Sequence, residues 1–199
     1  MRFLGIHHLA FCTGDLTATV HFWRDLLGLP LVHTMGGPGY RQYFFAVSPS
    51  DMIVFFEWPD IEVAPRRIHG QSRSGPAGFD HVALGMADEA GLWDLVARLQ
   101  GAGFAVSDVV DHGFLRSLYT HDPNGIALEF SCDVAGVDVR MNPSRHEREP
   151  LPVALEGSAP VAGRFPAGPA LPLEEREVVR GEGWAEFAAQ REGTFTPSS

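Results

Sequence analysis

Lysine is absent from this chain of 199 residues, and all 15 of its basic side chains are arginines. Without a lysine amine, a Schiff-base mechanism and a lysine general base are both excluded. The basic residues are outnumbered by 25 acidic ones, which gives a formal net charge of −10. Nucleic acids and anionic membrane surfaces are bound through clustered positive charge, so we expect neither as a partner.

Cysteine is scarce as well, with Cys12 and Cys132 alone. Two cysteines do not make the disulfide framework of a small secreted domain, so the predicted compartment is the cytoplasm. Apolar residues make up 45% of the chain, but no apolar run approaches the roughly 20 residues that cross a bilayer. We therefore expect a globular core and no membrane partner.

What the chain does contain is a repeated phrase. Residues 5–11 read GIHHLAF and residues 78–84 read GFDHVAL, and each is a strand-like run with the pattern His-x-Ala. Each copy leads into a helical stretch and then into further strands. A duplicated strand with one imidazole per copy, followed by a glutamate on a late strand, can assemble two histidines and one carboxylate around a metal.

The two copies predict similar sets of elements. Apolar residues at helical spacing predict one helix over Leu16–Leu27, ended by Gly28, and a second through Leu92–Leu99. The predicted later strands of the first copy are Leu31–Thr34, Tyr43–Val47 and Asp51–Trp58, and those of the second are Ala105–Val110, Leu115–His121 and Ile126–Ser131.

These elements divide the chain into four parts. The first module is residues 1–59, a linker with Arg66 and Arg67 is residues 60–77, and the second module is residues 78–133. Residues 134–199 form a Pro/Glu-rich extension, since eight of the 15 prolines lie past residue 140. Such a composition buries little surface, so we expect the extension to be partly disordered or to wrap over the core or a partner subunit.

Strand alternation places the candidate ligands among small residues. Along the three strands the residues that share one face are His8 with Ala10 and Cys12, His81 with Ala83 and Gly85, and Glu129 with Ala127 and Ser131. The bulky apolar residues lie on the opposite faces, which are predicted to pack against the helices. The other face is left as an open cup, with His8, His81 and Glu129 pointing into it.

At these motifs the chain resembles the vicinal oxygen chelate superfamily, which includes glyoxalase I, bleomycin-resistance proteins, fosfomycin-resistance enzymes and extradiol dioxygenases. The resemblance covers residues 3–132. It depends on HLA at 8–10, GDL at 14–16, FWRDLLGL at 22–29, DHVAL at 80–84 and DPNGIALE at 122–129. It implies an α+β fold in which two βαβββ modules form a cup-shaped sheet around a divalent metal.

By position, the resemblance implies that His8, His81 and Glu129 are the metal ligands. It favours His8 over His7, because His8 stands at the family's usual distance before Asp15. Glyoxalase-like members add a carboxylate late in the first module, whereas extradiol-like members leave that corner open. The candidate here is Glu57, which follows His8 by 49 residues where Glu129 follows His81 by 48. A regular strand would place Glu57 on the cup face.

Tyr119 resembles the tyrosine that extradiol dioxygenases place beside the metal. We predict that a bulged turn at residues 122–125 pairs Tyr119 with Ala127 and aims its hydroxyl into the cup. His112 and His69 are candidates to handle protons with Tyr119. An aromatic core residue and two surface histidines are the simpler interpretation of the same three residues.

These features predict an Fe(II) extradiol-type dioxygenase that acts on a small aromatic diol or a related vicinal-oxygen chelate. Mn(II), Zn(II) and Ni(II) are the other candidate metals. One alternative is a glyoxalase-like lyase or isomerase that uses the metal as a Lewis acid. Another is a resistance protein that binds a small molecule without catalysis. We expect the partners to be a small-molecule substrate and a second copy of the chain in a homodimer.

Overall fold

The structure is a computed structural model, and it describes residues 2–75, 77–165, 168–181 and 183–191. The chain divides into two compact units, one that ends at Asn142 and one that begins at Pro143. All candidate site residues belong to the first unit. Within the described residues, no helix is long and apolar enough to span a bilayer.

The first module is a four-stranded mixed sheet with one helix. Its elements are β1 (His8–Thr13), α1 (Leu16–Val20), a π-helical segment that continues α1 (His21–Leu26), β2 (Leu31–Gly37), β3 (Tyr40–Ala46) and β4 (Met52–Glu57). The strand order is β1-β4-β3-β2, with β1 parallel to β4 and the other pairs antiparallel. The Asp15 side chain caps α1 by accepting a hydrogen bond from the Ala18 amide.

The second module repeats this arrangement. Its elements are β5 (Val82–Gly85), α2 (Glu89–Gly101), β6 (Val110–Asp111), β7 (Leu115–His121) and β8 (Ala127–Asp133). The strand order is β5-β8-β7-β6, and β5 is parallel to β8. The predicted α+β fold of two βαβββ modules is therefore confirmed.

One predicted strand was too long. Of the run Ala105–Val110, Val110 alone lies in a strand. The preceding residues run beside β7 as irregular backbone, where Ser107 N bonds to Tyr119 O at 3.0 Å and the Thr120 hydroxyl bonds to Ala105 O. The Thr120 side chain thus replaces one of the backbone hydrogen bonds that a regular strand would form with β7.

The two modules share one hydrophobic core. Its buried members come from both helical segments and from the inner faces of both sheets: Leu16, Phe22, Trp23, Leu92, Leu95, Leu99, Phe45, Ile53, Phe55, Val82, Leu84, Leu118, Leu128, Phe130 and Cys132. The rings of Phe22 and Phe104 pack in a tilted contact across the module boundary, with centroids 4.9 Å apart. The outer face of each sheet therefore points away from this common core.

A buried polar network also joins the modules, at the turn between β7 and β8. Asp122 accepts a hydrogen bond from the Trp23 indole at 3.3 Å. Asn124 accepts one from the Thr13 hydroxyl at 2.6 Å and donates one to the Thr19 hydroxyl at 3.1 Å. Trp23 and the Asp-Pro-Asn-Gly turn, two of the motifs noted in the sequence, thus meet in space.

The second unit contains α3 (Pro152–Leu155), a 3₁₀ turn at Leu173–Glu175 and α4 (Trp184–Arg191). The guanidinium of Arg180 lies 3.5 Å from the ring of Trp184 in a cation–π contact. Whether this extension wraps over a partner stays a prediction.

Candidate metal centre

Three strands of the second module bring His81, Glu129 and Tyr119 together. His81 directly precedes β5, and Glu129 in β8 pairs with Ala83 in β5. On its other side Glu129 pairs with Tyr119 in β7. Paired residues on neighbouring strands lie on one face, so all three side chains are on the outer face of the sheet.

Glu129 is an ionised, well-anchored carboxylate. It is buried, and its Oε2 lies 2.7 Å from His81 Nε2. Its Oε1 accepts hydrogen bonds from the hydroxyls of Ser117 at 2.5 Å and Ser131 at 2.9 Å. Burial acts to raise the pKa of Glu129, but the hydrogen bonds from the two serines and the charge of His81 hold it below its ordinary value. The group is therefore a charged oxygen donor at neutral pH.

His81 is oriented from behind by Asp80. Its Nδ1 lies 2.7 Å from Asp80 Oδ1, while its Nε2 points to Glu129. The hydrogen bond with His81 lowers the pKa of Asp80. A carboxylate on one ring nitrogen is the usual way to fix a histidine whose other nitrogen binds a metal. Asp80 was not among the predicted site residues, although its position directly before His81 was a signal.

Tyr119, His112 and His69 form a cluster beside the carboxylate. The Tyr119 hydroxyl donates to Glu129 Oε1 at 3.2 Å and lies 2.9 Å from His112 Nε2. The His69 ring stacks on the Tyr119 ring, with centroids 3.5 Å apart. The predicted face of Tyr119 is thus confirmed. Its predicted partner Ala127 is wrong, because β7 and β8 are in a register that pairs Tyr119 with Glu129.

His8 is not part of this cluster. It is exposed on the outer face of the first sheet, with its Nδ1 2.9 Å from Nδ1 of His7. Across the described residues, no three or more His, Cys, Asp or Glu side chains are close enough to hold one metal ion. His8 lies in β1 of the first sheet, whereas Glu129 lies in β8 of the second.

Glu57 lies on the wrong face for a ligand. The register pairs it with Thr13, on the inner side of β1, whereas His8 pairs with Met52 on the outer side. Glu57 Oε1 accepts a hydrogen bond from Leu16 N at 3.1 Å, and Oε2 lies 3.1 Å from Arg41 Nε. The expectation that Glu57 would share the face of His8 is therefore wrong.

The first-module counterpart of Glu129 is an apolar residue. Glu129 is the β8 partner of Ala83, which lies two residues after His81. The corresponding β4 partner of Ala10, two residues after His8, is Val54. Val54 is fully buried and lies on the outer side of its sheet. The corner where glyoxalase-like members carry a carboxylate is therefore a valine here.

A cavity of about 720 Å³ opens beside the cluster. Tyr119, His81 and His69 line it together with apolar residues of the second module, and the linker between the modules contributes Arg66, Arg67 and Arg73. Its volume is in the range of small-molecule sites. The three arginines were not among the predicted site residues.

The two mixed sheets, each built from a βαβββ module, define the glyoxalase fold class, and His8, His81 and Glu129 lie on their outer faces. The chain belongs to the Glyoxalase/Bleomycin resistance protein/Dioxygenase superfamily, whose family model matches residues 5–130. The resemblance noted in the sequence is thereby confirmed.

Individual relatives divide between two activities. The chain is 31% identical over 83 residues to MhqA of Bacillus subtilis (strain 168), provisionally named as a ring-cleaving dioxygenase. That match covers 42% of this chain and 26% of MhqA. It is 24% identical over 131 residues to the lactoylglutathione lyase of Haemophilus influenzae, covering 63% of this chain and 90% of the lyase.

A solved structure matches the fold. It is a glyoxylase/bleomycin resistance protein/dioxygenase domain from Frankia sp. EAN1pec, with a TM-score of 0.57 and 19% identity. The match covers 67% of this chain and all of that one. At this identity the likeness shows the fold alone.

Proposed function

We propose that this chain is a metal-dependent oxygenase of the Fe(II) extradiol dioxygenase type, acting on a small aromatic diol or a related vicinal-oxygen chelate. The observation that carries the proposal is Val54 at the place of a fourth ligand. The ligand set is then His8, His81 and Glu129. Two imidazoles and one carboxylate are the set by which non-haem oxygenases hold Fe(II) with open positions. Bound there, Fe(II) supplies the redox chemistry for reaction with dioxygen.

A second copy of the chain supplies His8 to this site. The outer faces that carry His8 and Glu129 belong to different sheets. In a two-fold symmetric dimer, the His8 face of one copy lies against the Glu129 face of the other. The same contact occurs twice, so the dimer has two equivalent sites.

The chain's own residues orient the ligands and handle protons. Asp80 fixes the ring of His81, and Ser117 and Ser131 hold the carboxylate of Glu129. Tyr119 lines the cavity and carries a proton at its hydroxyl, which it donates to Glu129 Oε1. His112, hydrogen-bonded to that hydroxyl, replaces or accepts the proton as the substrate requires. His69 covers the phenol ring and limits access of water to it.

The second candidate is lyase or isomerase chemistry at the same metal. It is favoured by the match to nine tenths of the lactoylglutathione lyase. In that case Zn(II), Ni(II) or Mn(II) would act as a Lewis acid. Glu57 does not supply the fourth ligand, since it lies on the inner side of β4. Both candidates are assigned to the cytoplasm, in line with two cysteines that are both free.

Metal loading with a substrate panel distinguishes these candidates. The protein is purified without added metal, reconstituted anaerobically with Fe(II), and mixed with catechols while oxygen uptake and ring-cleavage absorbance are recorded. We expect uptake that depends on Fe(II) and is abolished by Glu129→Ala. Formation of lactoylglutathione with Ni(II) or Zn(II), without oxygen uptake in the Fe(II) protein, would instead establish the lyase.

Glu57→Gln tests the ligand count. We expect this variant to keep its full metal content, because Glu57 contacts Leu16 N and Arg41 on the inner side of the sheet. It should lose about 0.5–1.5 kcal/mol of unfolding free energy through the weakened hydrogen bond. Glu62→Gln, in the exposed part of the linker, is the matched control. Loss of metal from a folded Glu57→Gln protein would contradict a three-ligand site.

A further inference from the structure

The cavity beside the candidate metal centre has a charge opposite to that of the whole chain. The protein carries a net charge of −10, yet Arg66, Arg67 and Arg73 all line this one cavity. Asp80 lines the same cavity and lies 3.2 Å from Arg73. The positive charge of Arg73 is therefore used within the protein.

Arg66 and Arg67 differ from Arg73 in this respect. In the part of the chain that the structure describes, neither guanidinium lies within ion-pair distance of a carboxylate. Both residues are exposed toward solvent at the mouth of the cavity. Two adjacent guanidiniums without a carboxylate partner are suited to bind an anion through paired hydrogen bonds.

The backbone of this segment is held in place. Ala64 N donates to Asn124 O at 2.8 Å, and Arg67 N donates to His121 Nε2 at 3.2 Å. His121 is half-buried and lines the same cavity, and burial together with the charge of Arg66 lowers its pKa. A neutral His121 accepts a hydrogen bond from the Arg67 amide. The two arginines therefore extend from an anchored stretch of chain.

The rest of the cavity suits an aromatic ring. Its lining includes Phe104, Val106, Val110 and Leu128 from the second module. An apolar wall with a cationic mouth recognises a molecule that is flat and apolar at one end and anionic at the other.

We infer that the substrate carries an anionic group, such as a carboxylate, on its aromatic ring, and that Arg66 and Arg67 bind this group at the mouth of the cavity. The diol of this substrate rests on the proposed function, whereas its anionic group is inferred from the cavity alone. Arg66 and Arg67 are thus specificity residues, distinct from the groups that hold the metal and move protons.

The test uses metal-free full-length protein and two pairs of probes. Benzoate is compared with benzamide, and 3,4-dihydroxybenzoate with catechol, by calorimetric titration. We expect each carboxylate to bind about tenfold or more tightly than its neutral counterpart, the ratio typical of a charge-assisted hydrogen bond. The preference should fall as salt is raised.

Arginine variants assign the preference to its residues. The double variant Arg66→Gln/Arg67→Gln should bind both members of each pair equally, with catechol affinity unchanged, and Arg66→Lys/Arg67→Lys should recover part of the preference. Arg24→Gln removes one positive charge from the first module, where Arg24 pairs with Asp25, and should change nothing. A carboxylate preference that survives in the double glutamine variant, or no preference in the wild-type protein, would overturn the inference.

The outcome is separable from that of the proposed function. If the arginine-dependent preference is found but the Fe(II) protein takes up no oxygen with any diol, the anion site stands and the dioxygenase assignment fails. If oxygen is consumed equally with catechol and 3,4-dihydroxybenzoate and binding shows no preference, the dioxygenase assignment stands and the anion site fails.

Discussion

The hydroxyl of Tyr119 lies between a carboxylate and an imidazole, 3.2 Å from Glu129 Oε1 and 2.9 Å from His112 Nε2. Burial and the negative charge of Glu129 raise the pKa of Tyr119 to about 12. The phenol therefore keeps its proton throughout the neutral range. It can act there as a hydrogen-bond donor or acid, and His112 is the adjacent group that can restore a proton.

Tyr119→Phe should keep the fold and the metal content but slow turnover. The expected loss in kcat is about 10²-fold, the usual effect of removing a general acid. Tyr43→Phe, in β3 of the first module, removes a hydroxyl remote from the cavity and serves as the control. Steady-state kinetics and metal analysis on the same preparations give the answer. An unchanged kcat in the phenylalanine variant would leave Tyr119 with a purely structural role.

His121 should make stability depend on pH in a particular window. Burial, chiefly, lowers its pKa in the folded state, relative to an unfolded value of about 6.5. The neutral ring therefore contributes stability that is present above about pH 6.5 and is lost as the pH falls through the folded-state pKa.

The change to compare is His121→Gln, which keeps an acceptor for the Arg67 amide but does not titrate. The unfolding free energy of the wild type relative to this variant should be constant above about pH 6.5 and decrease below it. His146→Gln, an exposed histidine of the second unit, is the control. A difference that stays flat down to pH 5 would be incompatible with a neutral, buried His121.

At the level of elements, the β7–β8 turn links chemistry and architecture. Asp122 N bonds to Ile126 O, and Gly125, with φ of +78°, closes a three-residue loop. This loop length sets the register that pairs Tyr119 with Glu129. The linker crosses directly over the turn, so that a Cβ on Gly125 would lie 2.1 Å from Ala64 O. The turn thus pairs Tyr119 with Glu129 and also positions the linker residues that carry Arg66 and Arg67.

Gly125→Ala should destabilise the protein more than Gly113→Ala. Both glycines have positive φ, of +78° and +84°, so each alanine incurs about 1–2 kcal/mol of backbone strain. A Cβ at Gly113 meets nothing within 4 Å, whereas the one at Gly125 requires Ala64 to move. Breaking the Ala64–Asn124 hydrogen bond adds about 1 kcal/mol. Denaturant unfolding and amide exchange at Ala64 measure both effects, and equal losses in the two variants would exclude the close approach.

Sequence patterns predicted element types and faces better than registers. Alternation placed His81 and Glu129 on one face because each strand is regular and one side of it is buried. The face of Tyr119 was predicted from a bulged turn, and its strand partner in that prediction was wrong. Glu57 was misplaced because a residue count from His8 does not give the register of β4 against β1, which depends on the loops between them. In the structure Glu57 pairs with Thr13, whose side chain lies on the face opposite to that of His8. Likewise, the linker residues that carry Arg66 and Arg67 show no helical or strand periodicity. Their position depends on the contact between Ala64 and Gly125, two residues that are far apart in the sequence.

For the whole molecule, the decisive feature is the common core between the modules. Trp23, Phe55 and Leu128 belong to one cluster, so the inner faces of both sheets are used within the chain. Their outer faces carry His8 and Glu129. No sequence pattern showed this, because a repeat of two modules is compatible with either a site within one chain or a site shared by two. The shared site belongs to the proposed function, and it starts from the position of His8 and Glu129 on different sheets.

Mixed dimers of two inactive variants test the shared site directly. His8→Ala and Glu129→Ala should each lose most bound metal as homodimers. If each site takes His8 from one copy and His81 with Glu129 from the other, a heterodimer of the two variants has one site with both defects and one intact site. Heterodimers isolated by two different tags should then bind about half the wild-type metal and show about half its activity. His7→Ala should retain metal in every combination. Heterodimers that bind no metal would show that all three ligands belong to one chain, since every site would then carry one defect.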